Sequence, residues 1–194
     1  TAKRVSAETG LNYNKVLMGE LYGDDYKKVA DACGKLSEYP LTINRKPSAT
    51  VDEIGFLARQ VKGLGFVVID YLGLIRNSNG KSLYEKITDT SNNLKRLARS
   101  LGVPILCLAQ LNREVEGRNG GGKPRISDLR DSGAIEQDAD GILLLHRDMT
   151  DIPENDYNPT ELICTVGKNR HGRTGEMSFS FYLSSGRIYA VKEG

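Results

Sequence analysis

Two uninterrupted apolar runs, each ended by one polar side chain, constrain this chain more than any other feature. Gly65-Phe66-Val67-Val68-Ile69 ends on Asp70, and Ile105-Leu106-Cys107-Leu108-Ala109 ends on Gln110. Continuous rather than alternating apolar character predicts strands covered on both faces, as in parallel sheets. Between them Leu83, Ile87, Leu94, Leu97, Ala98 and Leu101 recur at helical spacing, and Gly102 with Pro104 stops that helix. Strand, helix, strand is then a right-handed parallel crossover that sets Gln110 beside Asp70. Ligands of open α/β sheets gather at the carboxyl ends of such strands, so both residues are candidates for a site.

The rest of the chain dresses this unit. Thr1 to Gly23 reads as a helix remnant, a loop around Ser6 to Asn14 and a short turn of helix. Asp24 caps a helix whose apolar positions are Val29, Ala30, Cys33 and Leu36, and Leu41 to Ile43 is a short strand. Thr50-Val51-Asp52-Glu53 is a capping box opening a helix with Ile54, Leu57, Ala58 and Val61 on one face. Ser127 to Gln137 is a short helical stretch, and Ile142 to Leu145 a third apolar strand. Glu161 to Val166, Met177 to Leu183 and Ile188 to Val191 alternate apolar with polar, the pattern of antiparallel strands with one wet face. No repeat or linker divides the 194 residues, so one α/β domain is expected.

Composition excludes several classes. No segment reaches membrane-spanning length and no signal peptide opens the chain, so the expectation is a cytosolic protein with no membrane partner. Cys33, Cys107 and Cys164 are an odd number, far apart, and read as buried free thiols; with only His146 and His171 beside them, zinc is improbable. A net charge of +2 gives no strong general pull on polyanions.

The strand-end residues suit nucleotide chemistry. A carboxylate at the Walker B place holds the magnesium that bridges terminal phosphates, whereas the plainer reading of Asp70 is a cap for the next turn. Two cationic loops add to this. One carries Arg113, Arg118, Lys123 and Arg125 among glycines, with acidic residues interleaved and no aromatic for base stacking. The other, Gly167 to Gly175, carries Lys168, Arg170 and Arg173 between two strands, where a solvated tip would look the same.

Taken together, Val68-Ile69-Asp70-Tyr71-Leu72, Ala109-Gln110-Leu111-Asn112-Arg113, the stretch from Ser127 to Asp140 and Gly167-Lys168-Asn169-Arg170 resemble the C-terminal motor domain of the DnaB family of replicative DNA helicases. The resemblance spans roughly residues 10 to 192. It implies a RecA-like fold with a mainly parallel central sheet, flanking helices and C-terminal antiparallel strands, assembling as a homo-hexamer around single-stranded DNA. ATP and Mg2+ are the implied cofactors; primase and a helicase loader are further implied partners. Asp70 resembles the Walker B aspartate and Gln110 the sensor glutamine. Arg130, Asp131 and Gly133, with Arg113, resemble the DNA-contacting loop, Asp131 standing where glutamate is usual. Lys168 and Arg170 resemble fingers that reach the nucleotide of a neighbouring subunit.

One departure is large: no Gly-x-x-x-x-Gly-Lys-Ser/Thr loop occurs in residues 1 to 194. The expectation is therefore a single domain over 1–194, truncated at its N-terminus and inactive alone. Two alternatives stand beside the helicase motor: a phage primase-helicase motor domain, and a non-catalytic nucleic-acid-binding or assembly module.

Overall fold

Val67 lies opposite Ile105, Val68 opposite Leu106 and Ile69 opposite Cys107, so the two apolar runs pair in parallel. The computed structural model describes residues 2–77, 82–112, 122–129, 132–148, 153, 155 and 158–191. Its helices are α1 (Ala2–Thr9), α2 (Tyr13–Met18), α3 (Asp25–Ser37), α4 (Val51–Gln60), α5 (Leu83–Leu101) and α6 (Ser132–Asp138). Its strands are β1 (Val67–Ile69), β2 (Ile105–Cys107), β3 (Gly141–His146), β4 (Thr160–Asn169), β5 (Gly175–Tyr182) and β6 (Arg187–Ala190). β1 and β2 form one sheet; the other has the order β3-β4-β5-β6, with β5 and β6 antiparallel. Clustering divides the chain into two units.

The first unit comprises Thr42–Leu144 and Val166–Gly175. Both of its long helices begin on capping boxes. Thr50 accepts from the Glu53 N–H while Glu53 accepts from the Thr50 N–H, and Ser82 and Glu85 repeat the exchange at α5. Each cap satisfies donors that the first turn leaves unpaired, which is why these helices start where the sequence says. Gly102, at φ +67, ends α5. Thr90, Leu94 and Leu97 are its buried stripe, whereas Leu83, expected to join them, is 47% exposed. A smaller core gathers Leu129, Ile142 and Leu144, with Leu111, Ile126, Ile135 and Ala139 packed against it. Full burial of each such aliphatic side chain contributes about 2 kcal/mol.

The second unit comprises Thr1–Leu41, Leu145–Thr165 and Glu176–Gly194. Here α1 packs on α2 and α3. Arg187 reaches back from β6 to the end of α1, donating from Nε to Ala7 O at 2.6 Å and from Nη2 to Glu8 O at 2.5 Å. Tyr182 and Tyr189 meet edge to face across β5 and β6, their centroids 5.8 Å apart.

Several expectations need correction. The strands were expected to be covered on both faces, yet Val68 is 57% and Leu106 43% exposed, and Leu143 and Leu145 alternate outward against buried Ile142 and Leu144. These runs are apolar on both faces, but in this chain only one face is packed. Leu41 to Ile43 forms no strand; it is exposed and irregular. The stretch Ser127 to Gln137 is not one helix: a 3-10 turn over Ile126–Asp128 precedes α6. Helix α1 runs through Thr9 where a loop was expected. Asp24 occupies the N-cap position of α3 without making a capping bond, and that helix buries Ala32 while Ala30 and Cys33 are exposed. The apolar contact therefore runs through Val29, Ala32 and Leu36, one register step from the expected stripe. All three cysteines are free as expected, but only Cys164 is fully buried; Cys33 is exposed.

Candidate nucleotide and nucleic-acid site

The β1–β2 ladder continues beyond the strands themselves. Leu108 N–H donates to Ile69 O at 2.9 Å and Leu72 N–H to Leu108 O at 2.8 Å. The segments carrying Asp70 and Gln110 therefore leave neighbouring parallel strands at the same carboxyl edge. Both side chains are exposed, and neither has a hydrogen-bond or ion-pair partner among the described residues. A carboxylate held on a strand end and left unpaired by its own chain suits Mg2+, which takes one or two carboxylates and keeps water and phosphate as its other ligands. No group of three acidic, His or Cys side chains that could form an all-protein metal cage occurs among the described residues. The residues present fit a magnesium bound largely through nucleotide.

The chain beyond Asp70 is pinned down. After a 3-10 turn over Leu72–Leu74, Leu74 O accepts from Ser48 Oγ at 2.8 Å and Arg76 N–H donates to Ala49 O at 2.9 Å. The Arg76 guanidinium also meets both oxygens of Glu53, at 2.9 and 2.7 Å, and Lys46 Nζ joins at 2.7 Å. Lys46, the Thr50 N–H and Arg76 together hold the Glu53 carboxyl down to about 2. The capping box of α4 thus anchors the segment that carries the strand-end aspartate. At the end of β2, burial pushes the Cys107 thiol up to about 11, so it stays neutral.

Lys168 and Arg170 occupy different backbone from that expected: β4 extends to Asn169, so Lys168 lies in a strand and Arg170 follows its end. Both side chains nevertheless turn to one place, the C-terminal end of α6. Lys168 Nζ donates to Glu136 O and, at 3.4 Å, to Gln137 O. Arg170 Nη2 donates to Gln137 O at 3.0 Å, and its Nη1 meets Asp140 Oδ1 at 2.9 Å. Unpaired carbonyls at a helix C-terminus attract cations, which accounts for the convergence. Glycine at 167 lets β4 approach the small core closely, because a Cβ there would lie 3.1 Å from Ile126 Cγ1 and 3.5 Å from Leu144 Cδ1. No hydrogen bond or ion pair links Lys168 or Arg170 to Asp70 or Gln110 among the described residues.

A cleft of about 500 Å³ lies beside these cations, lined by Ile126, Gly133, Glu136, Gln137, Gly167 and Lys168. Gly133 is exposed on α6 rather than in a loop, and a Cβ on it would meet nothing within 4 Å. Arg113, Arg130 and Asp131 lie outside the described residues. Leu111 and Leu129, which bracket most of that region, form an antiparallel bridge, and Asn112 N–H donates to Asp128 O at 2.8 Å. Buried Asp128 also accepts from the Arg125 N–H at 2.7 Å.

Sequence reasoning quoted Asp128 and Asp140 only as part of the Ser127 to Asp140 stretch, without a role of their own, and did not single out Lys95. Asp140 pairs with Arg170 and with Lys95 Nζ, which comes from α5. The Lys95 hydrogen bond, then the Lys95, Arg170 and His171 charges, hold the Asp140 carboxyl below its ordinary range. Lys95 and Asp140 are too far apart in sequence for spacing to reveal the pair.

A parallel β-α-β unit with an acidic and an amide strand end, flanked by helices and followed by antiparallel strands, is a RecA-like α/β domain. This chain belongs to the DnaB-like helicase C-terminal domain family, whose model matches residues 1–189. It is 37% identical over 185 residues to the replicative DNA helicase DnaB of Geobacillus stearothermophilus, covering 92% of this chain and 40% of that protein. Against the replicative DNA helicase DnaC of Bacillus subtilis the identity is 38% over 186 residues, again 92% of this chain and 40% of the relative. A solved DnaB-like replicative helicase, described with its interactions with primase, superposes with TM-score 0.89 at 31% identity over 98% of this chain and 47% of its own. A solved ATPase domain superposes with TM-score 0.88 at 31% identity, over 98% of this chain and 69% of its own. The chain spans about 40% of the length of the curated relatives it matches.

Proposed function

We propose that this chain is the C-terminal motor part of a hexameric replicative DNA helicase, which hydrolyses ATP with Mg2+ to move along single-stranded DNA in the cytosol and works with primase and a loader. Asp70 holds the magnesium and Gln110 contacts the terminal phosphate, a neutral amide that registers loss of that phosphate without adding charge. Magnesium, when bound, neutralises charge on the transferring phosphoryl group. Lys168 and Arg170 act on the nucleotide of the neighbouring subunit. Arg113, Arg130, Asp131 and Gly133 meet the DNA backbone, an interaction that positions a strand without reading its bases.

The observation that carries this reading is the turning of both cations onto α6 while the exposed Asp70 carboxylate has no partner among the described residues. Cations meant for a phosphate on the same protomer would be expected to face Asp70. Cations meant for the next protomer need not. The reading also predicts that residues 1–194 alone do not hydrolyse ATP, since nothing in their sequence supplies the Lys and backbone cradle for β- and γ-phosphates.

The test mixes two assembled variants, each joined to a phosphate-binding loop: Arg170→Ala with that loop intact, and a broken loop with Arg170 intact. Exchange of subunits should restore ATPase activity, because an intact loop then faces an intact Arg170. Assembly and exchange without recovery would reject the arrangement. For the DNA surface, Arg130→Ala should flatten the log-log salt dependence of single-strand binding by roughly 0.7, one phosphate contact's worth. An unchanged slope would remove Arg130 from the interface.

A further inference from the structure

We propose that Asp140 is a positioning residue for Arg170, and that Lys95 keeps Asp140 from neutralising the arginine it aims. This rests on the reading of Arg170 as a phosphate-contacting group.

Arg170 is held at three points by two residues. Its backbone N–H donates to Asp140 O at 2.8 Å, its Nη1 to Asp140 Oδ1 at 2.9 Å and its Nη2 to Gln137 O at 3.0 Å. Main chain and side chain are thus gripped by one residue, which fixes where the side chain starts and where it points. A guanidinium has five N–H donors in a rigid fork, so these contacts orient it and still leave donors to meet an anion.

The same grip poses an electrostatic problem. A carboxylate paired only with Arg170 would cancel its charge and weaken its pull on phosphate. Here the other carboxylate oxygen, Oδ2, is taken by Lys95 Nζ. Lys95, Asp140 and Arg170 form a row of cation, anion and cation whose sum is one positive charge. The Lys95 side chain is the most covered of the three, 19% exposed against 51% for Asp140 and 42% for Arg170. The lysine backs the carboxylate from the α5 side, and both the carboxylate and the arginine are open to solvent. His171, next along the chain, adds to the positive field at Asp140.

An ordinary surface ion pair would add little to stability and nothing to turnover. The two roles therefore separate in kinetics. In the assembled, loop-bearing protein, Asp140→Asn should lower kcat for DNA-stimulated ATP hydrolysis by about 10²-fold, the cost of a misplaced catalytic group. KM for ATP, ring assembly and melting temperature should stay near wild type, and Asp140→Glu should recover most of the rate. Lys95→Met should lower kcat by about tenfold, because the aimed arginine is then partly neutralised. Wild-type kcat in Asp140→Asn, with Arg170→Ala inactive, would overturn the positioning role and leave the phosphate reading standing. An active Arg170→Ala would instead remove that reading and this proposal with it. Should Asp140→Asn fail to assemble, Lys95→Met decides: an unchanged kcat there overturns the proposal.

Discussion

Two helix C-termini among the described residues are held by cations, and their surroundings differ. At the end of α1, Arg187 donates to Ala7 O and Glu8 O, and Lys35 pairs with the Glu8 carboxylate. At the end of α6, Arg170 and Lys168 bond Gln137 O and Glu136 O, and Asp140 pairs with Arg170 and Lys95. The chemistry is the same, a guanidinium on unpaired carbonyls with a carboxylate and a lysine nearby. Enclosure differs. A Cβ on Gly10, whose φ is +78, would come within 2.6 Å of Arg187 Nη1, so backbone closes over that guanidinium. Arg170 lies on an exposed turn with no such cover. The cap on α1 is closed, whereas the cap on α6 leaves its arginine open to solvent.

The largest effect that could break this contrast is on turnover. Arginine fingers contribute roughly 10³ to 10⁵ in rate, so Arg170→Ala should reduce ATP hydrolysis by the assembled protein on that scale. In the 194-residue chain the same change should alter urea-unfolding stability by no more than about 0.5 kcal/mol. Arg187→Ala should do the reverse, costing about 3 kcal/mol for two charge-assisted hydrogen bonds while single-strand DNA affinity per folded molecule is unchanged. Equal stability losses in the two variants would erase the distinction. Gly10→Ala sharpens it: an L side chain in the left-handed region costs about 1–2 kcal/mol, and here it must also displace Arg187.

Much of this was legible in the sequence, for local reasons. The capping box at Thr50 and the Gly102 stop are written in residues a few positions apart, and the structure keeps both; the second box, Ser82 with Glu85, came only with the structure. The parallel pairing of the Asp70 and Gln110 runs followed from their apolar continuity. Continuity did not show that only one face is packed, since Val68 and Leu106 look the same in sequence whether or not something covers them. Lys168 and Arg170 stood out by the family resemblance, but their shared target did not: the carbonyls of Glu136 and Gln137 are backbone groups that no side-chain motif announces. Lys95 was invisible for a similar reason, being one lysine on a polar helix face until folding brings Asp140 to it. The left-handed Gly10 and its Arg187 partner, at opposite ends of the chain, were likewise beyond any local pattern.

The smallest predicted effect compares the two carboxylates. The Lys35 hydrogen bond, opposed by some desolvation and aided by the charges of Lys35 and Arg187, holds Glu8 below its ordinary range; the Lys95 bond does the same for Asp140. A lowered carboxyl pKa means that the folded state binds its proton less readily than the unfolded one. The stabilisation is therefore full above the ordinary carboxylate range and is lost as pH falls through the lowered value. Both groups are solvent-screened, so the loss should be slight, and carbon-13 titration of the carboxyl carbons is the better measurement. In wild type both midpoints should lie below the ordinary range and rise with added salt. Lys35→Met should return Glu8 towards its ordinary value and leave Asp140 alone; Lys95→Met should raise Asp140 only part of the way, because Arg170 and His171 remain beside it. A full return of Asp140 in Lys95→Met would mean that Arg170 does not hold the carboxylate in solution. The open cap would then have no grip on its arginine, and the comparison with the closed one would fail at the residue on which it turns.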